Sequence, residues 1–279
     1  MIDATRSVPE RVVIMAAPNG ARRSKADHAA LPISASDLAE CAQQLVDAGV
    51  SVLHLHVRDA EGRHTLDPAR YREAIRAIRR QVGSSLVLQA TTEAVGRYKH
   101  EEQVACVREL EPEAVSLALR ELCPDEASEA EAGRFFEWLV RERIWPQYIL
   151  YTPEEVRRFD ALRRRGLFAE EAPFCLFVLG RYSDRLEGDP GELDAMLSVA
   201  DCSRFPWAVC CFGQYELDAM LAATRVGGHV RIGFENNLVL SSGRLARNNA
   251  ELIDQYRNAA ASLGRRPASA DELRELWLK

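Results

Sequence analysis

Short apolar, β-branched runs alternate along the chain with segments whose apolar residues recur every three or four positions. The runs are VVIMAA (12–17), VSVLHLHV (50–57), SLVLQAT (85–91) and EAVSLAL (113–119), then PQYILY (146–151), PFCLFVLG (173–180), PWAVCCFG (206–213) and GHVRIGF (228–234). Their near-continuous apolar character predicts parallel strands covered by helices, not half-exposed antiparallel ones. Between them lie helix signals. Ser34 and Ser36 precede an apolar face of Leu38, Cys41, Leu45 and Val46. Pro68 opens a helix through Tyr71, Ile75 and Ile78, and Pro153 opens one through Val156, Phe159 and Leu162. Pro190 falls in the first turn of a helix with Leu193, Met196 and Leu197, because proline suits a first turn. Further helices are predicted near 98–110, 126–143, 216–225 and 247–263, and DELRELWL after Pro267 predicts a short last one. Eight β-then-α units without a linker predict an α/β fold, a (β/α)8 TIM barrel. It would span 1–279 as a single domain with a short C-terminal helical extension. A doubly wound open sheet is the rival, and the missing GxGxxG fingerprint weakens it only slightly.

Composition narrows function more than fold. The 279 residues suffice for one barrel domain. Lysine and arginine total 36 against 42 aspartates and glutamates, a net charge of -6. The arginine pairs are short and scattered, so there is no basic stripe, which argues against nucleic acid and anionic membrane as partners. No apolar run is long enough to span a bilayer, and MIDATRSVPERVV lacks the apolar core of a secretory signal. Seven cysteines without a CxxC pair predict reduced, mostly buried thiols and a cytoplasmic protein. Cys210 and Cys211 are adjacent on a strand-like run, so they point to opposite faces.

In a barrel of this type the chemistry sits at the C-terminal ends of the strands. The second run ends HLHVRD, and His54 and His56, two apart, share a face. Two neutral imidazoles there suit a divalent metal, the alternative being two buried histidines hydrogen-bonded to neighbours. In GGHVRIGFENN, His229, Arg231, Gly233 and Glu235 share one parity, and Glu235 falls at the strand's end. In a closed barrel this strand and the second flank the first, so Glu235 can join the two histidines as a third ligand. A catalytic zinc keeps three protein ligands and one open position. Other divalent metals also suit such a set. Arg231 is expected to be a buried cation with an anionic partner. His229, at the other end of the strand, is expected to be structural. His28, His64 and His100 are expected at the surface.

MAAPNGARRSKADHAALPIS, AGVSVLHLHVRD, FVLG, PWAV and GGHVRIGFENN followed by RNNAEL together resemble the β-keto acid cleavage enzymes over about residues 11–270. The resemblance implies a zinc-dependent (β/α)8 barrel, usually a homotetramer, with His54, His56 and Glu235 as ligands. It implies conversion of a β-keto acid and acetyl-CoA into acetoacetate and a new acyl-CoA. By the same resemblance Arg231 works in activating the substrate, and Thr91 orients it. Asn19 and Ser116 are candidate substrate-binding residues.

Several positions depart from that pattern. The family reads GFEDN where this chain has GFENN, so Asn236 stands at the place of an aspartate that partners the arginine. An amide cannot accept a proton at neutral pH. Glu93 and Glu121, in loops at the barrel mouth, are the candidates for a relocated base, with exposed loop carboxylates as the alternative. Arg22 stands where the founding enzyme has a glutamate for its substrate's ammonium group, which predicts a distal anionic or neutral polar group on the substrate. After the third strand the family's glycine pair is replaced by QATTEAVG. After the fourth, Ala118 replaces an asparagine while Ser116 keeps its hydroxyl. After the sixth, LGRYSDRLEG brings Arg181, Tyr182 and Asp184 where the family has small residues. These loops bear most on acetyl-CoA. A metal-dependent hydrolase or lyase without CoA, or a non-catalytic small-acid-binding relative, are the alternatives.

Overall fold

A computed structural model describes residues 9–183 and 185–277. Among these, eight parallel strands close into a barrel: β1 (Ile14–Ala16), β2 (Val52–Leu55), β3 (Val87–Thr91), β4 (Ala114–Ala118), β5 (Trp145–Leu150), β6 (Phe174–Leu179), β7 (Trp207–Cys211) and β8 (His229–Ile232). Each lies within one of the eight apolar runs, give or take a terminal residue. β8 pairs with both β7 and β1, with Val230 opposite Ile14, so the ends of β8 and β2 flank β1. The open-sheet alternative is excluded.

The helices that cover the barrel are α1 (Ala35–Asp47), α2 (Pro68–Val82), α3 (His100–Leu110), α4 (Glu129–Arg141), α5 (Pro153–Arg164), α6 (Glu192–Ser198), α7 (Glu216–Arg225) and α8 (Asn249–Ala260). Several of their starts follow from side-chain caps. Ser34 Oγ accepts from Asp37 N–H while the Asp37 carboxylate accepts from Ser34 N–H, a reciprocal pair. Asp67 and Thr152 cap α2 and α5 one residue before their prolines. Pro190 stands outside α6, which begins at Glu192, because Asp189 accepts from Gly191 N–H and turns the chain there first.

Strand parity divides the apolar residues into two bodies. Leu53, Leu55, Leu117, Phe177 and Cys211 face the helices. Met15, Val52, Val87, Ile149, Leu176 and Cys210 fill the barrel, so the two adjacent cysteines do point to opposite faces. All seven cysteines are buried. The last helix, α9 (Ala270–Trp277), packs under the N-terminal end of the barrel. Its Trp277 stacks on Trp145 with ring centres 4.7 Å apart. His229 lies at this end, stacked on Phe174 and accepting from Val13 N–H.

Two features escape the sequence pattern. Arg11–Val12 pairs in parallel with Arg266–Pro267, which brings the chain end under the barrel. Val57–Arg58 and His64–Thr65 form a small antiparallel hairpin after β2. Its turn is held by the Asp59 carboxylate, which accepts from the N–H groups of Glu61 and Arg63. No described helix is long and apolar enough to cross a membrane.

Candidate active site

At the C-terminal end of β2 the side chains of His54 and His56 turn inward together, both buried. The turn after β8 carries Glu235 across β1 to meet them. His54 Nε2 and His56 Nε2 lie 3.2 Å apart, and each is 3.5 Å from Glu235 Oε2. Tetrahedral ligands about 2.0–2.1 Å from a zinc ion stand about 3.3 Å from one another. The triangle therefore has the edges such an ion requires. Glu235 Oε2 is buried and has no hydrogen-bond partner in the protein, a costly arrangement unless something else binds it. The three residues form a candidate metal-binding group among the described residues.

The hydrogen bonds behind the two rings set their tautomers. His54 Nδ1 is 2.8 Å from Gln89 Oε1, so Nδ1 carries the proton and Nε2 presents its lone pair. Gln89 in turn donates through Nε2 to Gln147 Oε1. His56 Nδ1 lies 3.4 Å from His64 Nδ1, and His64 Nε2 is 2.9 Å from the Glu93 carbonyl. The carbonyl only accepts, so His64 is protonated on Nε2 and its Nδ1 accepts from His56. His56 Nε2 is then also a free lone pair. Burial pushes His54 and His64 each down to about 3, so both rings are neutral at neutral pH.

The expectation that His28 and His64 sit at the surface is corrected. The hairpin after β2 folds His64 back against His56, where it is buried. His28 is buried against Phe234 and hydrogen-bonded to the Ala246 carbonyl. Neither lies in a stretch with a strand or helix period, so only the tertiary fold makes them internal.

Arg231, buried on β8, donates through Nη2 to Glu235 Oε1 at 3.0 Å and to Asn236 Oδ1 at 3.3 Å. Burial opposes its charge, but Cys210 and Glu235 more than offset this and hold the guanidinium above its ordinary range. Burial likewise opposes the charge of Glu235, yet the Arg231 guanidinium holds its carboxyl well below the usual carboxylate range. The Nε–H of Arg231 is buried without a protein acceptor.

A cavity opens directly above. His54, His56, Thr91, Glu93, Arg181 and Arg231 are among its walls. Thr91 Oγ1 accepts from Glu93 N–H, which leaves its hydroxyl proton free to donate. Glu93 Oε2 is 3.9 Å from His56 Nδ1, and its Oε1 is 3.3 Å from Arg181 Nη2, so the loops after β3 and β6 meet across the mouth. Further out the walls include Arg22, Arg23, Arg181 and Asn19.

The other candidate residues are placed differently. Glu121 is held behind the β3 loop, accepting from Gln103 Nε2 at 2.6 Å and from Ala94 N–H. Burial raises its pKa. Asn19 uses its amide on backbone: Nδ2 donates to the Pro32 and His56 carbonyls, and Oδ1 accepts from His56 N–H. Ser116 is buried on β4 beside Thr91, its hydroxyl without a protein partner. Asn236 is fully buried behind Arg231 rather than on the cavity wall. Arg181 and Tyr182 occupy the β6 loop, and Asp184 lies outside the described residues. Residue patterns alone missed Gln89, His64 and Glu216. Gln89 had a signal, since it shares the parity of Thr91 inside an apolar run.

The chain as a whole is similar to known proteins. A family model described as beta-keto acid cleavage enzyme matches residues 11–278. The chain is 29% identical over 272 residues to the 3-keto-5-aminohexanoate cleavage enzyme of Fusobacterium nucleatum, covering 96% of this chain and 97% of that one. It is 24% identical over 273 residues to the 3-oxoadipate:acetyl-CoA acetyltransferase of Cupriavidus necator, covering 95% and 93%. Among solved structures, a ternary complex of ObcA with C4-CoA adduct and oxalate superposes with a TM-score of 0.70 at 16% identity, covering 89% of this chain and 67% of that one. The apo structure of ObcA gives 0.69, and this chain spans 65% of its length. At these identities the structural likeness is one of fold.

Proposed function

The chain belongs to the β-keto acid cleavage enzyme family, and on that footing we propose that it transfers CoA from acetyl-CoA to the acyl part of a β-keto acid. The products are acetoacetate and a new acyl-CoA. Atoms balance: R–CO–CH2–COO⁻ and CH3–CO–SCoA give CH3–CO–CH2–COO⁻ and R–CO–SCoA. The observation that carries the reading is the His54–His56–Glu235 triangle with its unpartnered Glu235 oxygen, set beneath a cavity that Arg231 and Thr91 also line.

Those three residues would hold a divalent metal, zinc by resemblance, whose charge would stabilise negative charge developing on a substrate oxygen. The protein's own groups do the rest. Arg231 offers a fixed cation and an unused N–H to the substrate's carboxylate or keto oxygen. The Thr91 hydroxyl orients the same group. Removal of a proton from the substrate's CH2 falls to Glu93, because it lines the cavity while Glu121 is tied behind it. Asn236 cannot take that role.

The outer walls favour an anionic or neutral polar distal group. Arg22, Arg23 and Arg181 gather there, with Glu93 already paired to Arg181. An ammonium group would meet three guanidinium groups. The relative from Cupriavidus necator is named for 3-oxoadipate, a dicarboxylate. The resemblance extends the reading to a cytoplasmic homotetramer, which light scattering on the purified protein checks for mass.

One screen tests the reading. Metal-loaded protein is mixed with acetyl-CoA and cationic, neutral and anionic β-keto acids, and acetoacetate and acyl-CoA are read by mass spectrometry. A new acyl-CoA, formed preferentially from an anionic or neutral acid, is the expected result. Preference for the cationic acids would sink the assignment of the arginines. Silence across the panel with metal bound would favour a CoA-independent hydrolase or lyase, or a binding protein.

A further inference from the structure

Glu216 opens α7, carries a carboxyl group, and is 2% exposed. The chemistry above makes no use of it. Its Oε1 accepts from Gly233 N–H at 3.1 Å and from Asn236 Nδ2 at 3.2 Å, and its Oε2 lies 3.4 Å from Asn237 Nδ2. Its hydrogen bonds are thus with N–H donors of the turn that carries Glu235. We propose that Glu216 is a positioning residue: its buried carboxyl group fixes the Asn236 amide so that the amide oxygen faces the Arg231 guanidinium.

The argument is one of donors and acceptors. An asparagine can present either end of its amide. Asn236 Nδ2 lies near Glu216 Oε1 and, at 3.1 Å, near the Arg231 carbonyl. The Gly233 N–H aimed at Oε1 makes that oxygen an acceptor, and a carbonyl can only accept, so the NH2 group must lie there. The Oδ1 atom is then left for Arg231 Nη2 at 3.3 Å. The reversed amide would set oxygen against two acceptors and NH2 against a guanidinium. The surroundings are mixed in charge. Arg23, in the loop after β1, and the Cys210 and Cys211 thiols, on opposite faces of β7, are near enough to Glu216 to interact with it electrostatically. Burial pushes Glu216 up to about 8, with the N–H groups of Gly233, Asn236 and Asn237 pulling the other way. Orientation of the amide does not depend on the charge, because Oε1 accepts equally when a proton sits on Oε2. The arrangement inverts the resemblance's aspartate: an amide touches the arginine, and the carboxyl group stands one residue further back.

A consequence is that the acceptor at position 216 matters and its charge does not. Glu216→Met, Glu216→Gln, Asn236→Ala and the Glu216→Met, Asn236→Ala double variant are compared with the natural chain as metal-loaded enzyme. Glu216→Met and Asn236→Ala are each expected to lower kcat for acyl-CoA formation about 10- to 100-fold, as loss of an orienting partner does, with KM changed less than about threefold. Glu216→Gln, whose oxygen can replace Oε1, is expected to keep kcat within about threefold of the natural chain. The double variant is expected to be no slower than Asn236→Ala alone, because Glu216 acts through that amide. Unchanged kcat in Glu216→Met, an equal loss in Glu216→Gln, or multiplied losses in the double variant would each overturn the proposal. The activity arm rests on the function proposed above. If the natural chain makes no acyl-CoA, that reading fails by itself, and the same cycle is read in the melting temperature of metal-free protein. There the double variant loses less than the sum of the single losses and Glu216→Gln stays near the natural chain; additive losses overturn the proposal.

Discussion

Gly20 lies against Glu235: a methyl group on its Cα would fall 2.6 Å from Glu235 Cγ. The glycine's φ is +61°, a left-handed conformation that side chains disfavour. Backbone and carboxylate therefore share one small space, and the chain after β1 walls in the third ligand of the candidate metal set. Gly20→Ala is expected to move Glu235 off the two histidines. It should weaken divalent-metal binding about tenfold or more, measured by competition with a chelating dye. The left-handed backbone adds about 1–2 kcal/mol of destabilisation. Unchanged metal affinity would show that Glu235 is not a ligand.

His64 sets the proton on His56 from behind the ring and supplies no atom to the ligand triangle. Replacing it by phenylalanine removes the only acceptor that the described residues offer to His56 Nδ1–H at hydrogen-bonding distance. Metal affinity is expected to fall about 10- to 100-fold. His64→Gln, whose side-chain oxygen can accept the same proton, should recover much of it. Equal loss in both variants would mean that His64 serves only to pack the hairpin.

The barrel is legible in the sequence because each strand is buried on both faces and so reads as a compact apolar run. The candidate metal set is legible because His54 and His56 interrupt such a run at one parity, and Glu235 ends another. The second layer of the site is less so. His64 is only eight residues from His56, but what turns it inward is the Asp59-held hairpin, and nothing in its own neighbours marks it as internal. Glu216 reads as an ordinary acidic residue in the first turn of a helix, where the helix dipole favours one anyway. Its burial depends on the turn after β8 folding over it. Glu93 and Glu121 look alike as loop carboxylates in the sequence. Glu121, however, falls in the one-turn helix Leu119–Leu122 and is tied by Gln103 and Ala94, while Glu93 lines the cavity and pairs with Arg181.

That separation gives an unequal pair of variants. Glu93→Gln removes the carboxylate that faces the cavity and is expected to lower kcat by about 10²- to 10⁴-fold, the usual loss for a general base. Glu121→Gln keeps an acceptor for Ala94 N–H and should leave kcat within about threefold while lowering Tm. The two are compared in the same acyl-CoA assay. The reverse order would return the base to Glu121 and require the β3 loop to rearrange in the working enzyme.

Stability of the metal-free protein should fall toward both acid and alkali, for separate reasons. His229 is buried neutral under the barrel, where burial and nearby Arg265 push it down to about 3. The unfolded chain takes up a proton on this ring near its ordinary value of about 6.5. Stability from His229 is therefore full above that value and is lost as pH falls toward about 3. Glu216 has the opposite sign. Burial raises it to about 8, so its proton is held by the folded chain and released by the unfolded one above the ordinary carboxyl range. Its contribution is full below that range and is lost as pH rises through about 8. Melting temperatures across pH 3–9 separate the two. His229→Asn, whose oxygen can still accept from Val13 N–H, should make only the acid limb shallower, by its own share, because His54 and His64 are buried neutral with the same sign. Glu216→Gln should flatten only the alkaline one. Curves that shift in parallel, with no change of slope, would show that neither group is linked to folding in this way.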